Sequence, residues 1–104
     1  MENQLDKLLD KLREIMEIIF QMLNKNNVND ENRNKLKYIF RKYEEIFNLI
    51  FNNDVDDGYS LTFELKQWST ENINNYLFSN DEGKNLIQEI SHFQLLFMMY
   101  MREI

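Results

Sequence analysis

Few side chains in this 104-residue chain have the types and spacing that catalysis requires. His92 is the only histidine, cysteine is absent, and the two glycines, Gly58 and Gly83, stand far apart. These residues exclude a Cys-His pair and two-histidine zinc motifs, and the histidine has no recognisable serine-histidine-aspartate spacing. They also exclude a glycine-rich phosphate loop. We therefore expect a protein that is not an enzyme and that holds no cofactor and no metal.

The strongest chemical feature is a long run of carboxylates. Between Tyr43 and Gly83 there are nine acidic residues and a single basic one, Lys66. The acids are Glu44, Glu45, Asp54, Asp56, Asp57, Glu64, Glu71, Asp81 and Glu82. The formal net charge of the chain is −6 at pH 7. A concentrated negative surface favours a basic partner, because complementary charge speeds and orients association.

Within this run, residues 53–64 suggest a second kind of chemistry. Gly58 lies where a calcium-binding loop has its turn glycine, in its sixth position. The first, fifth and twelfth positions are then taken by Asn53, Asp57 and Glu64. This spacing resembles the EF-hand type, and the resemblance would imply weak calcium binding. We keep it as the lesser alternative to no metal, because a strand over 59–66 explains the same residues with one rule. Val55 departs from the pattern because it occupies a position that needs an oxygen ligand.

The segment that precedes the acidic run is basic. Its members are Arg33, Lys35, Lys37, Arg41 and Lys42. Tyr38 and Phe40 lie among them, a mixture that is also found on nucleic-acid-binding surfaces. The negative net charge and the acids that follow oppose phosphate binding. We therefore expect a solvated helix face here and no nucleic-acid partner.

Apolar residues at three- and four-residue intervals predict the helices that carry these charges. The spacing indicates long helices over 4–24, 30–51 and 80–103, and a short helix over 70–78. Asn29 or Asp30 is suited to cap the second helix. Ser79, with Glu82 three residues later, fits a capping box for the last one.

A different periodicity occupies the segment that follows the acidic loop. From Tyr59 to Lys66, apolar and polar residues alternate without exception. Four apolar side chains at this spacing scatter around a helix, whereas in a strand they share one face. The alternation predicts a strand over 59–66, which needs a partner strand for its backbone groups.

These elements predict a mainly α fold. We expect 1–104 to form one domain, a compact bundle of three to four helices with one short strand or hairpin near 59–66. The sequence has neither the basic start and apolar run of a signal peptide nor an apolar stretch of membrane-spanning length. The expected location is therefore the cytoplasm, with no membrane partner.

The function that best fits these features is that of a small acidic inhibitor. It would be an immunity or antitoxin-type protein that binds a basic, nucleic-acid-cleaving toxin where the phosphates would lie. All nine acids are candidates for the contact surface, and Tyr59 and Trp68 are candidate aromatic anchors. Within this set, the acidic segment from Asp54 to Glu64 is expected to be the centre, since one loop needs no such cluster.

Two alternatives remain open. A phage- or plasmid-encoded inhibitor of a host nucleic-acid enzyme would need the same surface, and only the neighbouring genes would separate it from an immunity protein. A helical homo-oligomer would instead pair its strand and the apolar end from Phe93 to Met101 across a two-fold axis. Sizing of the isolated protein in solution tests the homo-oligomer hypothesis.

Overall fold

The computed structural model describes residues 4–25, 28–73 and 81–103. These residues form four helices: α1 (Gln4–Leu23), α2 (Asp30–Phe51), α3 (Val55–Asn72) and α4 (Asp81–Glu103). Each helix packs against two others, in the cyclic order α1, α2, α3, α4 and back to α1. The predicted compact helical bundle is confirmed.

The first two helices follow the apolar spacing of the sequence. In α1, one stripe of side chains is buried: Leu8, Leu12, Ile15, Ile19 and Met22. The side chain of Asn29 caps α2 by accepting a 2.8 Å hydrogen bond from the backbone amide of Asn32, as the sequence predicted. Arg33 then donates to the carbonyl oxygen of Leu23 at 2.8 Å, which joins the end of α1 to the start of α2.

The core lies along the axis of the bundle and receives residues from all four helices. Full burial of each leucine or isoleucine contributes roughly 1.5–3 kcal/mol to the free energy of folding. Tyr43 of α2 is 1% exposed and meets Phe93 of α4 edge to face, with ring centroids 5.8 Å apart. Burial raises the pKa of Tyr43 far above its usual value, so this phenol stays neutral at every physiological pH.

One ion pair connects α1 to α4 at the edge of this core. Lys11 meets Glu89 across the helix interface and Glu14 within its own helix. Burial of Lys11 lowers its pKa, but the hydrogen bonds to Glu89 and Glu14 outweigh that effect and leave the pKa raised. The amine therefore remains charged where it meets Glu89, and the pair helps to fix the lateral position of α4.

The predicted strand at 59–66 is wrong, because this segment is the middle of α3. Its buried residues are Gly58, Thr62, Leu65 and Ser69, which recur every three to four positions. Only one of them is a large apolar residue, so the helical period is carried mostly by small side chains. The alternating Tyr59, Leu61, Phe63 and Leu65 lie on different sides of the helix, and Phe63 remains 46% exposed.

The helix expected over 70–78 is also corrected. Residues 70–72 are the last turn of α3 rather than the first turn of a new helix. Ser69 is buried, and Thr70 donates its hydroxyl to the Lys66 carbonyl one turn earlier. Residues 74–80 lie outside the described residues, as does the capping box expected at Ser79.

The close packing of α3 leads to the first prediction. A β-carbon at Gly58 would meet Phe97 at 3.6 Å, Leu49 at 3.7 Å and Ile50 at 3.8 Å, which are ordinary contacts. Gly58→Ala should therefore raise the free energy of unfolding by about 0.5–1 kcal/mol, because alanine favours a helix over glycine. Urea denaturation followed by circular dichroism measures the change.

Gln67→Gly is the matched control for this measurement, because Gln67 is exposed on the same helix. It should lower the free energy of unfolding by a similar amount. A Gly58→Ala variant that is less stable than the wild-type protein would contradict the helical backbone and the ordinary contacts at this position.

Candidate protein-binding surface

The acids at 54, 56 and 57 lie at a tight junction between α2 and α3. Asn53 adopts a left-handed conformation, with φ of 64°. The amide of Asp54 donates to the Leu49 carbonyl at 2.8 Å and the amide of Asn53 to the Ile50 carbonyl at 3.2 Å. This pair of bonds is a Schellman motif, which satisfies the last carbonyls of α2 and reverses the chain.

This junction gives the three acids a structural role that the sequence did not predict. Asp54 is the N-cap residue of α3, and Asp56 and Asp57 lie in its first turn. Carboxylates there stabilise the helix by interacting with the partial positive charge of its N-terminus. The sequence alone predicts that these acids lie in a loop that does not need them for its structure. That expectation is revised, because they lie at the start of a helix that they stabilise.

A further set of acids follows the outer side of α3. Asp57, Glu64 and Glu71 recur every seven residues, a spacing that returns to nearly the same side of a helix. All three are exposed, and together they span about 21 Å at 1.5 Å per residue. We call this set the α3 acidic stripe. Within the described part of the chain, neither Asp57 nor Glu64 has an ion-pair partner.

The two predicted aromatic anchors lie on opposite sides of this stripe. Trp68 packs on Tyr38 of α2 with ring centroids 4.6 Å apart, and Lys42 lies 5.6 Å from the centre of the Tyr38 ring. Tyr59 points toward α4, where its ring is 5.4 Å from that of Phe97. Both anchors are half-buried, so each fixes a neighbouring helix as well as presenting an edge to solvent.

The remaining acids of the predicted surface lie elsewhere. Glu45 pairs with Lys42 along α2 at 3.5 Å, whereas Glu44 is beside Met16 and Phe47 on the side of α2 that faces α1. Glu82 forms an ion pair with Lys25 at the end of α1. This pair and Asp81 belong to the end of the bundle where α4 begins, opposite to the end where α3 begins. The nine acids therefore do not form one patch.

The calcium-loop alternative does not fit the fold. Residues 55–64 of the proposed twelve-residue loop are helical, and a helix cannot wrap its side-chain and backbone oxygens around one ion as that loop does. Among the described residues, no group of three or more acidic or histidine side chains is arranged to hold a metal.

The histidine and the apolar C-terminal end of the chain both lie on α4. His92 is exposed on α4. Phe93 and Phe97 are completely buried, while Leu95 and Met99 are each 48% exposed. The end from Phe93 to Met101 is therefore mainly part of the core.

One surface was missed by sequence reasoning, namely a groove between α1 and α2. Two adjoining depressions of about 390 and 320 Å³ share Arg13 and Met16 along its floor. Phe20 and Phe40 line the first depression, and Phe47 lines the second. Phe20 could have been a signal, because it follows the apolar stripe of α1 out of phase. Its ring is 52% exposed instead of being covered.

Comparison with known proteins adds no family to this description. No protein-family model, curated protein or solved structure matches the chain. Among the described helices, none combines the length and apolar character needed to cross a membrane.

The junction that places the acids supports a second prediction. Because Asn53 has a positive φ, Asn53→Gly should raise the free energy of unfolding by a few tenths to about 1 kcal/mol. Asn53→Ala should lower it by about 1 kcal/mol, since a β-carbon disfavours the left-handed conformation. Thermal denaturation of the two variants measures both changes.

Asn52→Ala is the control for this pair. Asn52 precedes the left-handed residue and has an ordinary φ of −93°, so its replacement should change stability by less than about 0.5 kcal/mol. Equal effects at positions 52 and 53 would contradict the Schellman geometry.

Proposed function

We propose that this protein is a small acidic inhibitor that binds a basic protein through the outer face of α3. The observation that carries the proposal is the α3 acidic stripe, in which exposed carboxylates continue along the full helix. The favourable interaction with the N-terminus of α3 explains only Asp57, because helix-dipole effects fall off within one turn. Glu64 and Glu71 lie two and four turns further on, where they contribute nothing to the start of the helix.

The flanks of the stripe support a protein partner in particular. Phe63 is 46% exposed on the side toward α4, and Tyr38 is 41% exposed on the side toward α2, where it packs on Trp68. Acidic rows with aromatic edges suit protein recognition, since the charges guide association and desolvated aromatic rings supply much of the affinity. The same arrangement repels nucleic acid.

The finer proposal is an immunity-type role in the cytoplasm. The partner would be a nucleic-acid-cleaving toxin, whose substrate-binding site must be basic to hold phosphates. Carboxylates of the stripe would occupy that basic site and exclude the substrate. The small size of the chain and the lack of a recognisable catalytic arrangement in its sequence are consistent with an inhibitor that acts by binding alone.

The third prediction concerns the association rate. The protein is used as bait in cells of its source, and captured proteins are assayed for nuclease activity with and without added bait. The variant Asp57→Lys, Glu64→Lys, Glu71→Lys should associate with the captured basic partner at least about tenfold more slowly at low salt. The difference should shrink as salt is raised.

The matched control is Glu14→Lys, Glu31→Lys, Glu103→Lys, which reverses three exposed acids on the other helices. Each triple variant changes the net charge by +6, from −6 to zero, so overall charge is held equal. The control should associate several times faster than the stripe variant. Equal rates for the two variants, or capture of no basic partner, would refute the proposal.

A further inference from the structure

The aromatic pair of Tyr38 and Trp68 lies between α2 and α3, at the edge of the α3 acidic stripe. The two ring centroids are 4.6 Å apart and the ring planes are tilted by 36°. Tyr38 is exposed and Trp68 is half-buried, so the pair presents an aromatic surface to solvent. Such a surface attracts cations, and the indole ring does so more strongly than the other aromatic side chains.

The ring on α2 already has a cation. The amine of Lys42 lies 5.6 Å from the centre of the Tyr38 ring, and the same amine pairs with Glu45 at 3.5 Å. Tyr38 therefore has a cation over its ring, and that cation in turn has a carboxylate. The three groups satisfy one another within a single helix.

The ring on α3 has carboxylates beside it but no cation. Glu64 precedes Trp68 by four residues and Glu71 follows it by three, so both are its neighbours on the helix surface. Among the described residues, no lysine or arginine lies over the Trp68 ring, and Glu64 has no ion-pair partner. Glu71 accepts a 3.4 Å hydrogen bond from Gln67, which is a neutral donor.

The two carboxylates lie on the solvent side of the indole. At 3.6 residues per turn, Glu64 and Glu71 are rotated about 40° and 60° from Trp68 in one direction, and Ser69 about 100° in the other. Ser69 is buried, whereas both glutamates are exposed. A group that arrives from solvent therefore meets the indole and a carboxylate together.

The two lysines on the side of α2 that faces α3 are both paired within α2. Lys35 meets Glu31 at 3.6 Å and also donates to the carbonyl oxygen of Asn72 at 3.5 Å. Lys42 meets Glu45 in the same way. Carboxylates of α2 therefore match the charges of these lysines, and the carboxylates of α3 are left in excess.

The other bases near the pair are turned away from the indole. Lys66 precedes Trp68 by two residues, which puts it about 160° away around α3. Lys37 and Arg41 are rotated about 100° and 60° from Tyr38 around α2, in the direction away from α3. The surface around the indole is therefore acidic and aromatic, and charge complementarity selects a cation as its occupant.

We propose that an arginine of the basic partner binds here, with its guanidinium plane on the indole of Trp68 and its N–H groups donating to Glu64 or Glu71. This inference rests on the proposed function and names the side chain that the partner supplies. A guanidinium group stacks flat on an aromatic ring and donates paired hydrogen bonds to a carboxylate. The ammonium group of lysine is a compact, strongly hydrated charge, so it should bind this site more weakly.

The chain has a single tryptophan, so its fluorescence reports on this site alone. The full chain is titrated at low salt with a peptide of six arginines and, separately, with a peptide of six lysines. Calorimetry gives the two dissociation constants, and the fluorescence shows contact with the ring. The peptides carry equal charge, yet the arginine peptide should bind about tenfold more tightly, because only its side chains stack on the indole. It should also cause the larger change in Trp68 emission.

Substitution of the two exposed carboxylates tests the site without altering the rings. Glu64→Gln with Glu71→Gln should reduce the preference for the arginine peptide to less than about twofold, because the paired hydrogen bonds are lost. The control Glu17→Gln with Glu103→Gln removes two exposed negative charges from α1 and α4 and should keep the preference. Trp68→Leu, measured by calorimetry, should abolish it as well. If that variant fails to fold, the carboxylate pair decides alone.

Three results would overturn the inference: no binding of either peptide, equal affinities for the two peptides, or an arginine preference that survives removal of the Glu64 and Glu71 charges. Equal affinities would leave the proposed function standing, because the stripe as a whole would still attract a basic partner. The proposed function fails by a different result, namely that no basic partner is captured or that reversal of the stripe acids does not slow its association.

Discussion

The bundle depends on how closely α3 can approach α2 and α4. The buried side of α3 is built mostly from small residues, and at Gly58 there is room for one β-carbon and little more between Leu49 and Ile50 of α2 and Phe97 of α4. A helix with so little apolar volume contributes to a core only if its neighbours come close enough to fill the space. This packing fixes the rotation of α3 about its axis and therefore decides which of its charges face the solvent.

The same constraint explains what the sequence could and could not predict. The bounds of α1, α2 and α4 were predictable, because large apolar residues mark their buried sides at helical spacing. In α3 only one of the four buried positions, Leu65, holds a large apolar residue; the other three, Gly58, Thr62 and Ser69, carry no strong apolar signal. The larger residues around them alternate, so local periodicity favoured a strand until tertiary packing was taken into account.

The candidate surface was predictable in composition but not in arrangement. An excess of acids over residues 43–83 is a property of the sequence, whereas their distribution depends on the turn at Asn53 and on the rotation of α3. Once α3 is helical, Asp54 and Asp56 belong to a helix start, and Glu82 pairs with Lys25. The α3 acidic stripe that we propose for a partner is therefore a narrower surface than the sequence suggested. The groove between α1 and α2 depends on how these two helices pack side by side, which no local sequence pattern contains.

The central claim is that residues 55–72 form one helix whose outer side presents Asp57, Glu64 and Glu71 together. Backbone chemical shifts from nuclear magnetic resonance test this claim most directly. The account predicts helical α-carbon shifts without interruption from Val55 to Asn72, with contacts between each α-proton and the amide three residues later. Extended-chain shifts over 59–66, with contacts to another strand, would contradict the claim, because an extended backbone would not place the three acids on one side of a helix.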